Sequence, residues 1–173
     1  RRTDGDQDAS MDVMTDSSAP AISTVGVPRE VKTAEHRVAM TPDGVRELAR
    51  GGVSVFVEDG AGVGASIMNE DYEAAGATIV PTAADAWAQE MVVKVKEPKA
   101  EEFQYLREDL TLFTYLHLAP DPVQAEGLKK SGCLAIAYET VTDAQGGLPL
   151  LRPMSQVAGR MSMQVAAWAL MRT

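Results

Sequence analysis

Residues 22–57 read ISTVGVPREVKTAEHRVAMTPDGVRELARGGVSVFV, and the reading of this stretch decides the fold. The apolar runs Ile22–Val27 and Val53–Val57 are of strand type. Between them Thr41-Pro42-Asp43 supplies a helix N-cap, a proline for the first helical position and a first-turn acid. Gly51-Gly52 closes that helix. Strand, helix and strand in this order form one βαβ unit.

The same alternation continues outward. Thr78–Val80, Met91–Lys96, Leu110–Leu116 and Cys133–Tyr138 are further strand-type runs. Asn69 and Thr82 are expected to cap two shorter helices, and Asp121-Pro122 to open another that ends near Lys129, Lys130 and Gly132. Near-continuous apolar strands separated by helices predict an α/β fold, with a mostly parallel sheet covered by helices on both faces. Val157 to Thr173 reads as a helix apolar on one side that stops abruptly, without a Gly or Pro terminator. Residues 1–21 differ: Asp4, Asp6, Asp8, Asp12 and Asp16 stand among Ser, Thr and Gly with little to bury. They are expected to be a disordered tail or a remnant of expression, with Met11 and Met14 as alternative starts.

A chain of 173 residues suits one domain with a tail and is long enough to bury a core. Its formal net charge of -9 argues against nucleic acid and anionic membranes as partners, because both repel an acidic surface. The single Cys133 precedes the apolar run Leu134–Ala137 and reads as a core thiol, with no disulfide framework. One Cys and two His leave no dense metal site, so no metal is expected. No stretch is apolar and long enough to span a bilayer and no signal-peptide core is visible, so the cytoplasm is the expected compartment.

In a parallel sheet, ligands bind outside the carboxyl ends of the strands. Arg37 lies in the loop after the first strand, Lys96 ends the strand Met91–Lys96, His117 follows Leu110–Leu116, and Glu139 follows Cys133–Tyr138. An arginine fork matches a carboxylate, a lysine ammonium polarises a carbonyl oxygen, and a histidine shuttles a proton near neutral pH. Arg37, Lys96 and His117 therefore suit a small 2-oxo or 2-amino acid in proton-coupled redox chemistry. The structural alternatives are a solvated edge for Lys94 and Lys96, a core histidine at 117, and an ion pair of Arg37 with Glu35 or Glu30.

Gly60-Ala61-Gly62-Val63-Gly64-Ala65 satisfies the loose G-x-G-x-x-G/A pattern. A dinucleotide fingerprint needs a helix opening at that turn and an acid ending the next strand. Ser66-Ile67-Met68-Asn69 reads as loop instead, and Thr78–Val80 runs into Pro81-Thr82, so these glycines are taken as a tight turn. Tyr72, Trp87 and Trp168 are expected in core or interface, and His36 on the surface.

Val25-Gly26-Val27-Pro28-Arg29-Glu30, followed by Glu35-His36-Arg37-Val38-Ala39-Met40-Thr41-Pro42, resembles the opening of the alanine dehydrogenase and proton-translocating transhydrogenase family. Lys94-Val95-Lys96-Glu97-Pro98, Leu116-His117-Leu118-Ala119, Tyr138-Glu139-Thr140-Val141 and the stretch Leu148 to Arg160 resemble its alanine dehydrogenase branch in particular. The resemblance runs from about Ile22 to Thr173. It implies a Rossmann-like or flavodoxin-like substrate domain over residues 22–152, and an interdomain helix over 153–173 leading to an NAD-binding domain outside this chain. It implies oxidation of L-alanine to pyruvate and ammonium with NAD, in a homohexamer that includes contacts of the final helix. By matching positions, Arg37 and Lys96 hold the substrate's carboxylate and carbonyl, His117 is the acid/base, and Met154 and Ser155 lie at the domain cleft near the dinucleotide. The nucleotide loop and a catalytic aspartate belong to the other domain, so this chain is expected to supply half a site and to be inactive alone. The alternatives are the transhydrogenase alpha subunit, whose branch lacks the histidine and the second lysine of Lys-Val-Lys, and a non-catalytic ligand-binding or assembly fragment.

Overall fold

In a computed structural model describing residues 22–171, the strands are β1 (Thr24–Val27), β2 (Ser54–Glu58), β3 (Thr78–Val80), β4 (Met91–Val93), β5 (Thr111–Thr114) and β6 (Leu134–Ala137). The helices are α1 (Pro42–Arg50), α2 (Asn69–Ala75), α3 (Ala83–Trp87), α4 (Pro122–Ser131) and α5 (Arg152–Leu170). The expected tail, residues 1–21, lies outside the described residues. The six strands lie in the order β3-β2-β1-β4-β5-β6, and every pairing is parallel. This is the doubly wound Rossmann-like order, with the chain reversing direction across the sheet between β1 and β4.

Local chemistry sets the helix ends. Thr41 Oγ1 accepts the Gly44 N–H at the start of α1, Thr82 caps α3 through the Asp85 N–H, and Asp121 caps α4 through the Gln124 N–H. Gly132 ends α4 at φ 71°, the left-handed conformation that a Cβ disfavours. The expected cap Asn69 is instead the first residue of α2. Its side chain is spent backwards, accepting the Gly60 N–H at 3.1 Å and donating to Asp59 at 2.6 Å. The final helix begins at Arg152, ahead of the expected Val157.

Two apolar clusters sandwich the sheet. Val27, Val55 and Val57 pack with Val45 of α1 and Tyr72 of α2 on one face. Val92, Leu112 and Leu116 pack with Trp87 of α3 and Leu128 of α4 on the other, with Cys133 partly buried beside them. Successive strand residues point to opposite faces, so Gly26, between Val25 and Val27, faces α3. The opposite faces of β5 and β6, with Phe113 and Ile136, are left half-covered. Helix α5 has no buried residue.

Four strands, β1, β4, β5 and β6, are shorter than the apolar runs suggest, and at three of them a carboxylate takes main-chain N–H groups. Lys94 still donates its N–H to Phe113 O at 3.1 Å, but the N–H groups of Val95 and Lys96 turn to the Glu30 carboxylate, and β4 ends. The N–H groups of Leu116 and His117 turn to Glu139, and β5 ends. At the opposite end of the sheet, Glu90 accepts the N–H groups of Ser23 and Thr24 where β1 begins.

Candidate active site

The reversal between β1 and β4 opens a crevice at the carboxyl ends of these strands, because their loops leave in opposite directions. The loop after β1 carries Glu30, Glu35 and Arg37, and the turn after β4 carries Lys94 and Lys96. Arg37 is bound bidentately by Glu35, with Nε to Oε1 at 2.7 Å and Nη2 to Oε2 at 2.5 Å. Its remaining Nη1 points at Met154 Sδ, 3.5 Å away. The ion pair with Glu35 anticipated as a structural role is thus present, and it leaves one edge of the guanidinium directed across the crevice. Ala34, just before this pair, has φ 61°, strain of the kind that collects at functional loops.

The solvated-edge reading of the two lysines is corrected for Lys94, which is fully buried. Its ammonium lies 2.7 Å from Glu102 Oε1 and 3.5 Å from Glu30 Oε2, with the Trp87 ring centroid 6.0 Å away. Burial pushes the Glu30 carboxyl above its usual range, against the pull of Lys94 and of the two amides it holds. Lys96, two residues on, is only partly buried, and its charge helps to hold Glu35 ionised. Its carbonyl accepts the Thr114 hydroxyl at 3.0 Å.

His117 stands past β5 at φ 48°, with its side chain 46% exposed. Its ring stacks on Tyr115 at 5.8 Å between centroids and 6° between planes. The nearest Glu139 oxygen is 4.0 Å from Nδ1. Tyr115 also meets Tyr138 edge-on at 4.9 Å and donates its hydroxyl to Leu150 O at 2.8 Å. A cavity of about 420 Å³ is walled by Arg37, Val95, Phe113, Tyr115, Tyr138 and Met154, among others. Lys96 and His117 lie one and two residues beyond the wall residues Val95 and Tyr115. Met154 therefore shares a cavity with Arg37, whereas Ser155, whose hydroxyl donates to Leu151 O, faces a separate hollow with Asp143 and Gly146. Burial raises the hydroxyl pKa of both Tyr115 and Tyr138, which keeps them neutral donors.

The glycine turn Gly60–Gly64 leads into a short 3-10 turn, Val63–Ala65, and α2 opens only at Asn69. The N–H groups of Ala61, Val63, Ala65, Ser66 and Ile67 donate within the turn, and that of Gly60 to Asn69, so few remain for a phosphate. The turn serves the site differently. A Cβ on Gly64 would lie 2.7 Å from His36 O, so this glycine lets the Arg37 loop pack close.

On the outer rim Glu97 accepts Lys32 Nζ at 2.8 Å and Lys99 Nζ at 2.6 Å. Burial alone raises the Glu97 carboxyl, but the two ammonium groups outweigh it and bring it down to about 2. Hydrogen bonding to Arg37 likewise lowers Glu35 to about 2. Both folded-state values lie below the ordinary 4.5, so both groups stabilise the fold above pH 4.5, and that stability is lost as pH falls toward 2. Urea midpoints are expected to fall across this window, and Glu97→Gln to flatten the decline. A variant whose decline parallels the parent's would remove Glu97 from the account.

The family model described as the alanine dehydrogenase/PNT N-terminal domain matches residues 26–158. The chain belongs to this family. Alanine dehydrogenase of Bacillus subtilis is 54% identical over 143 residues, covering 83% of this chain and 38% of the relative. That of Mycolicibacterium smegmatis is 53% identical over 150 residues, covering 86% and 40%. This member of the alanine dehydrogenase/PNT family thus spans about two fifths of the length of the curated relatives it matches. A solved L-alanine dehydrogenase superposes with a TM-score of 0.82 at 50% identity, over 86% of this chain and 41% of that one. The transhydrogenase from Sinorhizobium meliloti superposes with 0.64 at 31% identity, over 67% and 35%.

Glu30, Lys94, Glu102, Tyr115 and Tyr138 were not among the residues singled out from sequence for the site, and Glu139 was noted only as a strand-end charge. The available signal was weak: an acid or tyrosine beside a functional residue, with no spacing rule to separate it from surface.

Proposed function

We propose that this chain is the substrate half of an NAD-dependent L-alanine dehydrogenase, converting L-alanine, water and NAD+ to pyruvate, ammonium, NADH and a proton. What carries the reading is 50–54% identity to alanine dehydrogenases, with Arg37, Lys96 and His117 all supplied at the strand-end rim. Residues 22–152 form the substrate domain, and the segment 153–173, which contains most of α5, leads toward the nucleotide half. The Nη1 edge of Arg37, which now meets only the weak acceptor Met154 Sδ, takes the substrate carboxylate, and the Lys96 ammonium hydrogen-bonds the oxygen at the reacting carbon. His117 accepts a proton from the attacking water and returns one on reversal. The chemistry that bound NAD would supply is a hydride acceptor for the α-carbon.

The residues present fit only the nicotinamide end of that cofactor. Met154 and the aromatic wall of Tyr115 and Tyr138 offer apolar surface to a planar ring, whereas the glycine turn has spent most of its N–H groups. The phosphates are therefore held by the other half. Val157, Met161, Val165 and Trp168 are exposed on α5, which supports its burial against that half or another subunit of a hexamer. The single cysteine, which fits a reducing compartment, supports placing the enzyme in the cytoplasm. No helix among the described residues is long and apolar enough to cross a membrane.

In the full-length protein, His117→Ala and Lys96→Ala are each expected to lower kcat about 10²–10⁴-fold, measured as NADH formed from L-alanine. Near-normal turnover in either variant would remove that residue from its role. The 173-residue chain alone is expected to form no NADH. The second reading, a transhydrogenase subunit, draws on the 31% identical match. Absent alanine oxidation with intact dinucleotide binding by the full-length protein would favour it.

A further inference from the structure

The rim carries a repeated device. Where a strand ends, its next N–H groups point past the neighbouring strand and lose their ladder partners, and a buried N–H without an acceptor is costly. Here a carboxylate from an adjacent strand end takes them. Glu58, ending β2, accepts the Arg29 N–H beyond β1 at 2.8 Å. Glu30, beyond β1, accepts the N–H groups of Val95 and Lys96 beyond β4 at 2.6 and 3.2 Å. Glu139, beyond β6, accepts those of Leu116 and His117 beyond β5 at 3.1 and 2.7 Å. In each case the donor strand and the acid's strand are neighbours in the sheet.

Two of these carboxylates hold the main chain of the residues on which the chemistry depends. We propose that Glu30 and Glu139 are positioning residues that fix the backbone of Lys96 and His117, respectively, at the crevice. Charge-assisted hydrogen bonds are about twice as strong as neutral ones, so an acid is suited to holding a chain against its own preference. His117 needs such a hold, because φ 48° is a conformation that non-glycine residues seldom adopt. Glu139 lies in the 3-10 turn Tyr138–Thr140 and touches the histidine chiefly through its amide, the ring nitrogen being 4.0 Å away. Glu30 is fixed in turn by Lys94 at 3.5 Å, which gives the buried lysine a link to the site. Displacement of a reacting group by about 1 Å costs roughly 10²-fold in rate.

The kinetic arm of the test rests on the proposed alanine oxidation; the exchange arm does not. In the full-length protein, Glu139→Ala is expected to lower kcat for L-alanine about 100-fold with KM within threefold, because Arg37 still holds the substrate. Glu139→Gln, which keeps an acceptor oxygen, is expected to recover at least tenfold of that loss. Amide hydrogen exchange at Leu116 and His117 is expected to accelerate in Glu139→Ala while the β1–β2 amides keep their protection. Glu30→Gln, preferred to alanine because Lys94 is buried, keeps one acceptor oxygen and presents an NH2 to the other amide. It is expected to accelerate exchange at one of Val95 and Lys96 while Leu116 and His117 keep their protection, and unchanged exchange at both would overturn the Glu30 hold. Unchanged kcat in Glu139→Ala would overturn the proposal, and so would unchanged exchange at residues 116 and 117. Should the parent protein fail to oxidise alanine, the functional reading falls, and selective exchange at the two rim turns still decides for or against the carboxylate hold.

Discussion

Replacing Lys94 by methionine is expected to destabilise the domain by about 3–5 kcal/mol at pH 7, the cost typical of removing one partner from a buried ion pair. The ammonium sits at 2.7 Å from Glu102 and 3.5 Å from Glu30, and its side chain is 0% exposed. Methionine fills much of the volume, but it leaves two carboxylates facing each other without water or cation. For a domain of this size the loss lowers Tm by roughly 6–20 °C. The defect has a pH signature. Burial already holds the Glu30 carboxyl above its usual range, and Lys94 pulls it back. Without Lys94 the folded variant binds that proton more tightly than its unfolded chain, so the gap to the parent narrows as pH falls from 7. Adding Glu102→Gln is expected to recover much of the loss, since one carboxylate then remains and Glu30 keeps its two backbone donors. Urea denaturation of the three proteins across this pH range makes the comparison. A single-variant loss below about 1 kcal/mol, or a gap independent of pH, would show that the triad is solvated.

Lys94 also marks where sequence reading stops. The strands, the caps of Thr41, Thr82 and Asp121, and the glycine stop at Gly132 are local events, legible because propensity and hydrogen-bond demand are set by near neighbours. The parallel sheet followed from continuous apolar strands. The order β3-β2-β1-β4-β5-β6 did not, because nothing within a strand names its neighbour. With the order hidden, the crevice between β1 and β4 was hidden too, and Arg37, Lys96 and His117 were legible from strand-end position, side-chain chemistry and family resemblance but not from their arrangement in space.

The strand lengths failed for a related reason. Val95, Lys96 and Leu116 continue the apolar or alternating pattern of their runs, but Glu30 and Glu139, 65 and 23 residues away in sequence, claim their N–H groups. A long-range acceptor ends a strand without leaving a mark in the strand itself. Lys94 and Lys96 are separated by one residue and look alike on paper. One is sealed under Trp87 and Glu102 while the other stands at the crevice, and only tertiary packing distinguishes them.

Gly26→Ala is expected to be among the most damaging single-methyl additions in the domain. A Cβ at this position would lie 1.8 Å from Ala86 O and 2.8 Å from Ala86 C, both main-chain atoms that no rotamer change can move aside. β1 is an inner strand, paired to β2 and β4, so it has no free edge along which to retreat. The helix α3 must lift instead, and it carries Trp87, which stacks on Tyr105 and packs in the cluster with Val92 and Leu112. Overpacking of side chains costs about 1–3 kcal/mol and occasionally more, and contact with backbone belongs at or beyond the upper end. Gly52→Ala provides the contrast. Gly52 has φ 83° with nothing within 4 Å of an added Cβ, so its variant bears only the left-handed backbone penalty of about 1–2 kcal/mol. Thermal and urea unfolding are therefore expected to rank Gly26→Ala well below Gly52→Ala, with Trp87 fluorescence altered in the first alone. The reverse ranking would mean that α3 does not rest on β1, and that the floor beneath Lys94 is built some other way.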